Sequence, residues 1–258
     1  MAVLDLRAHA ANYGLELARP DELSADDRRA AIGTWKGRMV NEHVSARVFA
    51  GLIPHMMAAE IDTSHQMAVA DMIRDELRHG VQCAAVVHAL GGDPYAEIPE
   101  LSQVPAHQDV DPVEALTRNI LSVSCLSETV AVALVGAERL STGPAEIEKE
   151  LKGILADEVQ HARFGWKLLD SLAPRFDDPM RERLGDYLVT AFIHLQEYEL
   201  AHLPLISPPS ETAEQYGVCD GSHARKLFFE TVETVIVPGL EKRGLPGGEA
   251  WKYAQRLH

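Results

Sequence analysis

Apolar residues in this chain recur at the three-to-four-residue spacing of a helix and almost nowhere at the two-residue spacing of a strand. A first helical pattern runs from about residue 25 to 57, with Ser24 or Asp26 as its N-cap and Pro54 disturbing its end. A second runs from about 59 to 90 and stops at GGDP, 91–94. Residues 92–111 hold Pro94, Pro99 and Pro105 without a period and read as a long connection. The third pattern opens on DPVEALTRN, with Asp111 as N-cap and Pro112 at the first helical position, and ends at STGP, 141–144. A fourth covers about 145–171 and stops before Pro174, and a fifth covers about 178–203. After the Pro/Ser-rich LPLISPPSET come a sixth helix, about 222–236, and a short C-terminal one. Residues 1–24 read as a polar lead-in. The one Asp-Gly pair, 220–221, precedes a helix instead of joining two strands. The expectation is an all-α chain forming one domain over 1–258. Its four long helices, about 25–171, pack as an antiparallel bundle, and extra helices follow over about 178–258.

Some polar residues sit where this pattern wants apolar ones. Positions three, four and seven apart share a helix face. Around Glu76 that face holds Val69, Met72, Ile73, His79, Gly80 and Cys83; around Glu158 it holds Leu151, Ile154, Leu155, His161, Ala162 and Gly165. The two segments are DELRH, 75–79, and DEVQH, 157–161, so one D-E-x-x-H pattern occurs twice, each time with Glu and His toward the core. Chance supplies about one ExxH in a chain of this Glu and His content, and roughly 0.07 with the preceding Asp required. A third ExxH, Glu199 to His202, lacks the Asp and reads as the expected accident. Glu42 and Glu128 are further acids on mainly apolar faces. They precede Glu76 and Glu158 by 34 and 30 residues, so the chain reads as a duplicated helix pair.

An isolated buried carboxylate is very costly, and four facing one core would repel one another unless cations lie between them. Two divalent metals would neutralise four carboxylates. Oxygen and imidazole donors without thiolate point to iron or manganese rather than structural zinc. The formal net charge of −15 argues against a nucleic-acid partner. Runs such as VAVALVGA fall short of the ~20 residues that span a bilayer, so no membrane partner is expected. The N-terminus shows no leader pattern. Three cysteines without a CxxC fit a reducing, cytoplasmic setting.

The doubled Glu…DExxH set resembles the ferritin-like di-iron carboxylate superfamily, most closely its oxygen-activating members, over about residues 26–170. DELRH matches their DExRH pattern in full; DEVQH has Gln160 where Arg is usual. The resemblance implies a ferritin-like four-helix bundle with two iron ions (a manganese–iron pair is left open). It implies Glu42, Glu76, His79, Glu128, Glu158 and His161 as ligands. Asp75 would orient His161, and Asp157 would orient His79. Arg78 reads as an ion pair, either on the surface or beside the ligands. Cys83 stands where the ribonucleotide reductase small subunit often has its radical tyrosine, and Val132 where the multicomponent hydroxylases have a threonine. A rubredoxin module is absent. What remains is a stand-alone oxidase or oxygenase that hydroxylates or N-oxygenates a small molecule through a peroxo di-iron species. Its partners would be O2, that substrate and an external electron donor, and a homodimer is left open. Trp35, Met39, Cys83 and Leu121 would line the substrate pocket. On the fifth helix His194, Glu197, Glu199 and His202 read better as a half-exposed polar face than as the source of a seventh ligand. The alternatives are a ferritin- or rubrerythrin-like metal-handling or peroxide-scavenging protein, and a helical binding module with a structural site.

Overall fold

Helix makes up 78% of the chain and strand 2% in a computed structural model, so the fold is all-α. The structure describes all residues except 1, 19–21, 99, 101–102, 204, 206–207 and 258. Parts of the expected connection after the second helix and of the Pro/Ser-rich stretch therefore lie outside the described residues.

The first 24 residues are more than a lead-in. Strand β1 (Val3–Asp5) is followed by helix α1 (Arg7–Tyr13), which packs on the second long helix. The long helices are α2 (Ala25–Ala58) and α3 (Thr63–Ala89), packed along each other. Strand β2 (Tyr95–Glu97) lies in the proline-rich connection and pairs antiparallel with β1, Leu4 opposite Ala96. Three-residue strands are too short to display an alternating pattern, which is why the sequence shows none.

Capping follows the local chemistry. The Ser24 hydroxyl accepts the Asp27 amide at 3.1 Å, and the Asp111 carboxylate accepts the Val113 amide at 2.9 Å. Helix α2 runs through Pro54 for another turn, and Asp62 caps α3, which starts later than its apolar pattern suggests.

The third helical pattern is continuous from Pro112 to Ser141 but not uniform. Helix α4 (Pro112–Ile120) widens into a π-helical segment, Leu121–Ser127, before α5 (Glu128–Ser141). By length and composition this stretch is apolar enough to cross a membrane, a property that reading separate apolar runs misses. It also carries Glu128 inward and packs on α6 (Ala145–Leu172), as a core helix does. The C-terminal part comprises α7 (Asp178–His202), α8 (Glu211–Gln215), α9 (Gly221–Thr231), a second π segment (Val232–Ile236), α10 (Val237–Glu241) and α11 (Gly247–Leu257).

The core is in two parts. One cluster includes Phe49, Met72, Leu121, Cys125 and Leu168 together with the C-terminal helices. The other includes Trp35, Met39, Cys83, Leu151 and Ile154. Along α2, α3 and α6 the chain passes from one cluster to the other, and the buried acids and histidines lie at the crossing.

Candidate metal centre

Helix periodicity alone puts Glu76 beside His79 and Glu158 beside His161; the packing of α3 on α6 brings the two pairs together. Glycine at 165 permits a second close approach, of α6 to the π segment. A Cβ built there would lie 2.3 Å from Cβ of Ser124, so α6 sits directly on the π segment that precedes Glu128. Phe49 of α2 meets the His161 ring edge-on at 5.5 Å, and the two imidazole centroids are 6.1 Å apart.

Two groups result. Glu42, Glu76, His79 and Glu158 each offer a donor atom within 4.8 Å of the others, and so do Glu76, Glu128, Glu158 and His161. Glu76 and Glu158 belong to both. Nδ1 of His79 lies 3.3 Å from Glu158 Oε1 and 3.5 Å from Glu42 Oε2. Nδ1 of His161 lies 3.0 Å from Glu76 Oε1, 3.4 Å from Glu158 Oε2 and 3.9 Å from Glu128 Oε2. All six side chains are buried except Glu42, which is 16% exposed.

The chemistry of the donors fits metal. Despite the short separations, both Nδ1 atoms and Glu76 Oε1 have no hydrogen-bond partner among the described residues. Buried polar atoms without partners are costly, and several converging in one place suit a bound ion. Cys83, though fully buried one turn after His79, belongs to neither group, and burial keeps its thiol well above its ordinary pKa. The set is therefore carboxylate oxygen and imidazole nitrogen, suited to iron or manganese.

Without a cation the site must hold protons instead. Burial raises Glu76 and Glu128 well above the ordinary carboxylate range, and the charge of Glu158 adds to this. Burial opposes charge on the histidines too, but there the carboxylates win. Glu158 and Glu42 bring His79 up to about 11; Glu158 and Glu76 bring His161 up to about 10. Glu158 itself, between both imidazoles, is held well below its ordinary value against the effect of burial.

The structure places Asp157 Oδ2 3.1 Å from His79 Nε2, and Asp75 Oδ2 3.5 Å from His161 Nε2. Each aspartate thus faces the histidine of the other helix. Arg78 does not simply turn outward: its guanidinium reaches Asp75 at 2.9 Å and Asp157 at 2.7 Å. The only hint of this in the sequence is the mismatch between Arg78 and Gln160.

The other named residues lie elsewhere. Trp35, Met39, Cys83 and Leu121 are completely buried, the first three in one core cluster and Leu121 in the other. His194 and Glu197 are exposed. His202 is exposed, with Nδ1 2.7 Å from the Tyr198 carbonyl oxygen, and Glu199 joins neither group. The sequence also gave no sign of a neighbouring polar knot. Tyr13 and the Gln82 amide both donate to Glu150 Oε2, at 2.6 and 2.7 Å, and tie α1 to α3 and α6.

Comparison with protein-family models, with curated proteins and with solved structures gives no match. What can be said of the class comes from the site: the chain is a helical protein whose buried Glu/His cluster can bind metal and is compatible with a di-iron centre.

Proposed function

We propose that the chain is a ferritin-like di-iron carboxylate enzyme that uses dioxygen to oxidise a small organic molecule, by hydroxylation or N-oxygenation. The observation that carries this reading is the pair of overlapping groups sharing Glu76 and Glu158. Iron bound there would pass electrons from an external donor to dioxygen and offer it open coordination positions. The chain supplies the rest. Glu76 and Glu158, common to both groups, would be shared by two metals, and Glu42 and Glu128 would each serve one. Asp157 accepts the Nε2 proton of His79, and Asp75 stands 3.5 Å from Nε2 of His161, so each Nδ1 is left to face the centre. The two apolar clusters on either side keep bulk water out. Glu42, the most exposed of the six, marks the side from which small molecules approach. Electrons come from an external donor, and the setting is cytoplasmic.

A second reading is favoured by one observation. The four side chains expected to line a substrate pocket are completely buried and divided between two packed clusters. A cavity of about 260 Å³, lined by Leu4, His9, His43, Leu77 and Gly80 among others, lies outside both metal-binding groups. A metal-handling or peroxide-scavenging protein needs no organic pocket beside the metals.

Anaerobic loading with Fe(II), followed by metal analysis and exposure to O2, tests both. The proposal expects two irons per chain and a transient absorption band whose decay an added small substrate accelerates. Fewer than two irons, or iron uptake undiminished in Glu76→Ala, would sink the metal site. Rapid O2 consumption that no organic additive alters would favour the second reading.

A further inference from the structure

The two halves of the centre are joined outside it by one side chain. Asp157 Oδ2 accepts from Arg78 Nη2 at 2.7 Å and faces His79 Nε2 at 3.1 Å. Asp75 Oδ1 takes Arg78 Nη1 at 2.9 Å, while its Oδ2 stands 3.5 Å from His161 Nε2. The result is a continuous run from His79 through Asp157, Arg78 and Asp75 to His161. The run is unequal. His79 is hydrogen-bonded to its aspartate, whereas His161 Nε2 is fully buried without a hydrogen bond among the described residues.

We propose that Arg78 is a positioning residue that couples the two metal positions, so that filling the His79 position draws Asp75 onto His161 and completes the other. This rests on the reading of the six residues as a two-metal site. The physical basis is the guanidinium's fixed planar fork. Both of its arms are engaged, so a shift of Asp157 rotates the plane and moves Asp75 with it. With Nδ1 engaged, the His79 ring would become a stronger Nε2–H donor, and Asp157 would tighten on it and start the movement. Gln160, at the place of Arg78 in the second motif, is exposed and cannot supply a second charged fork.

The test is anaerobic Mn(II) titration of the full chain, followed by calorimetry and by electron paramagnetic resonance. In the wild type the second ion binds at least as tightly as the first, and one equivalent of Mn(II) already gives a spin-coupled signal. Arg78→Gln sits at a side chain 47% exposed, so the fold tolerates it. It should leave the first ion nearly unchanged and weaken the second by about tenfold, with a six-line mononuclear signal at one equivalent. Asp75→Asn, which keeps the shape but loses the acceptor charge, should reproduce that loss. Arg78→Gln titrating like the wild type, or weakening both ions equally, would overturn the coupling while leaving the metal site intact. So would an Asp75→Asn that holds the second ion as tightly as the wild type. A wild type that takes up no more than one ion would remove the two-metal reading and the coupling together.

Discussion

The two halves of the centre derive from one repeated pattern but are built differently. In the first half, α2 and α3 are regular helices in contact along their length, and Glu42 keeps 16% of its side chain in water. In the second, Glu128 follows a seven-residue π segment, keeps only 9% of its side chain exposed, and α6 presses on that segment at Gly165. A repeat of ligand types thus fixes which donors meet. The environment of each donor depends on the helices around it. Wide turns of π helix recur at functional sites because they redirect side chains without ending the helix. Here the wide turn places Glu128 deeper than its counterpart.

The largest effect expected from this comparison concerns the shared acids. Glu158 belongs to both groups and Glu42 to only one. Glu158→Ala should abolish uptake of both ions, whereas Glu42→Ala should leave the group around His161 able to hold one. Metal content after anaerobic loading reads the difference directly. Equal losses in the two variants would mean that the halves do not share a ligand.

A smaller, graded effect is expected with pH. His79 and His161 have folded-state values near 11 and 10, above the unfolded value of about 6.5. Their protonation stabilises the metal-free protein fully below pH 6.5, and that contribution is lost as pH rises through 10 to 11. Metal needs the same nitrogens deprotonated, so its affinity should change in the opposite sense and rise with pH. Loading should release protons, measurable by calorimetry in buffers of different ionisation enthalpy. Proton release of zero near pH 7 would contradict the stored-proton picture of the metal-free site.

The halves can also be compared through stability, one glycine in each. At Gly80 an added Cβ would lie 3.6 Å from the Met39 carbonyl oxygen, an ordinary contact, but at Gly165 it would lie 2.3 Å from Ser124 Cβ. Gly165→Ala should cost about 1–3 kcal/mol through overpacking. Gly80→Ala should cost less, or even stabilise, because alanine favours helix by about 1 kcal/mol. Thermal unfolding of the two variants ranks them, and equal costs would show that the second half is no more tightly packed than the first.

These contrasts mark what the sequence could and could not reveal. Helix periodicity made the long helices and the inward acids readable, because a 3.6-residue repeat states which side chains share a face. Ser24 and Asp111 were readable as caps for the same local reason. The π segment was not, since a wide turn leaves no change in the pattern of Leu121, Cys125 and Glu128. Neither was the short β1–β2 pair, which depends on contact between distant segments. Arg78 was readable as an ion pair, but its two partners were not, because only the packing of α3 on α6 brings Asp75 and Asp157 to it together.

The smallest effect is expected at the third ExxH, and it tests whether spacing alone makes a ligand. His202 is exposed with its Nδ1 against the Tyr198 carbonyl oxygen, and its ring lies on Tyr198 with centroids 4.4 Å apart. His202→Ala should therefore leave metal content unchanged. Glu199 is different, because burial raises its carboxyl to about 7 from an ordinary 4.5. A raised acid stabilises the fold while protonated, and that contribution is lost as pH climbs from 4.5 through 7. Glu199→Gln keeps a neutral side chain throughout, so its melting temperature relative to the wild type should improve between pH 5 and 8. Loss of a metal ion in either variant would draw this helix into the centre and end the account of two equivalent motifs and one accident. An unchanged metal content with the expected pH trend would show that ExxH becomes a ligand pair only where a second buried pair meets it.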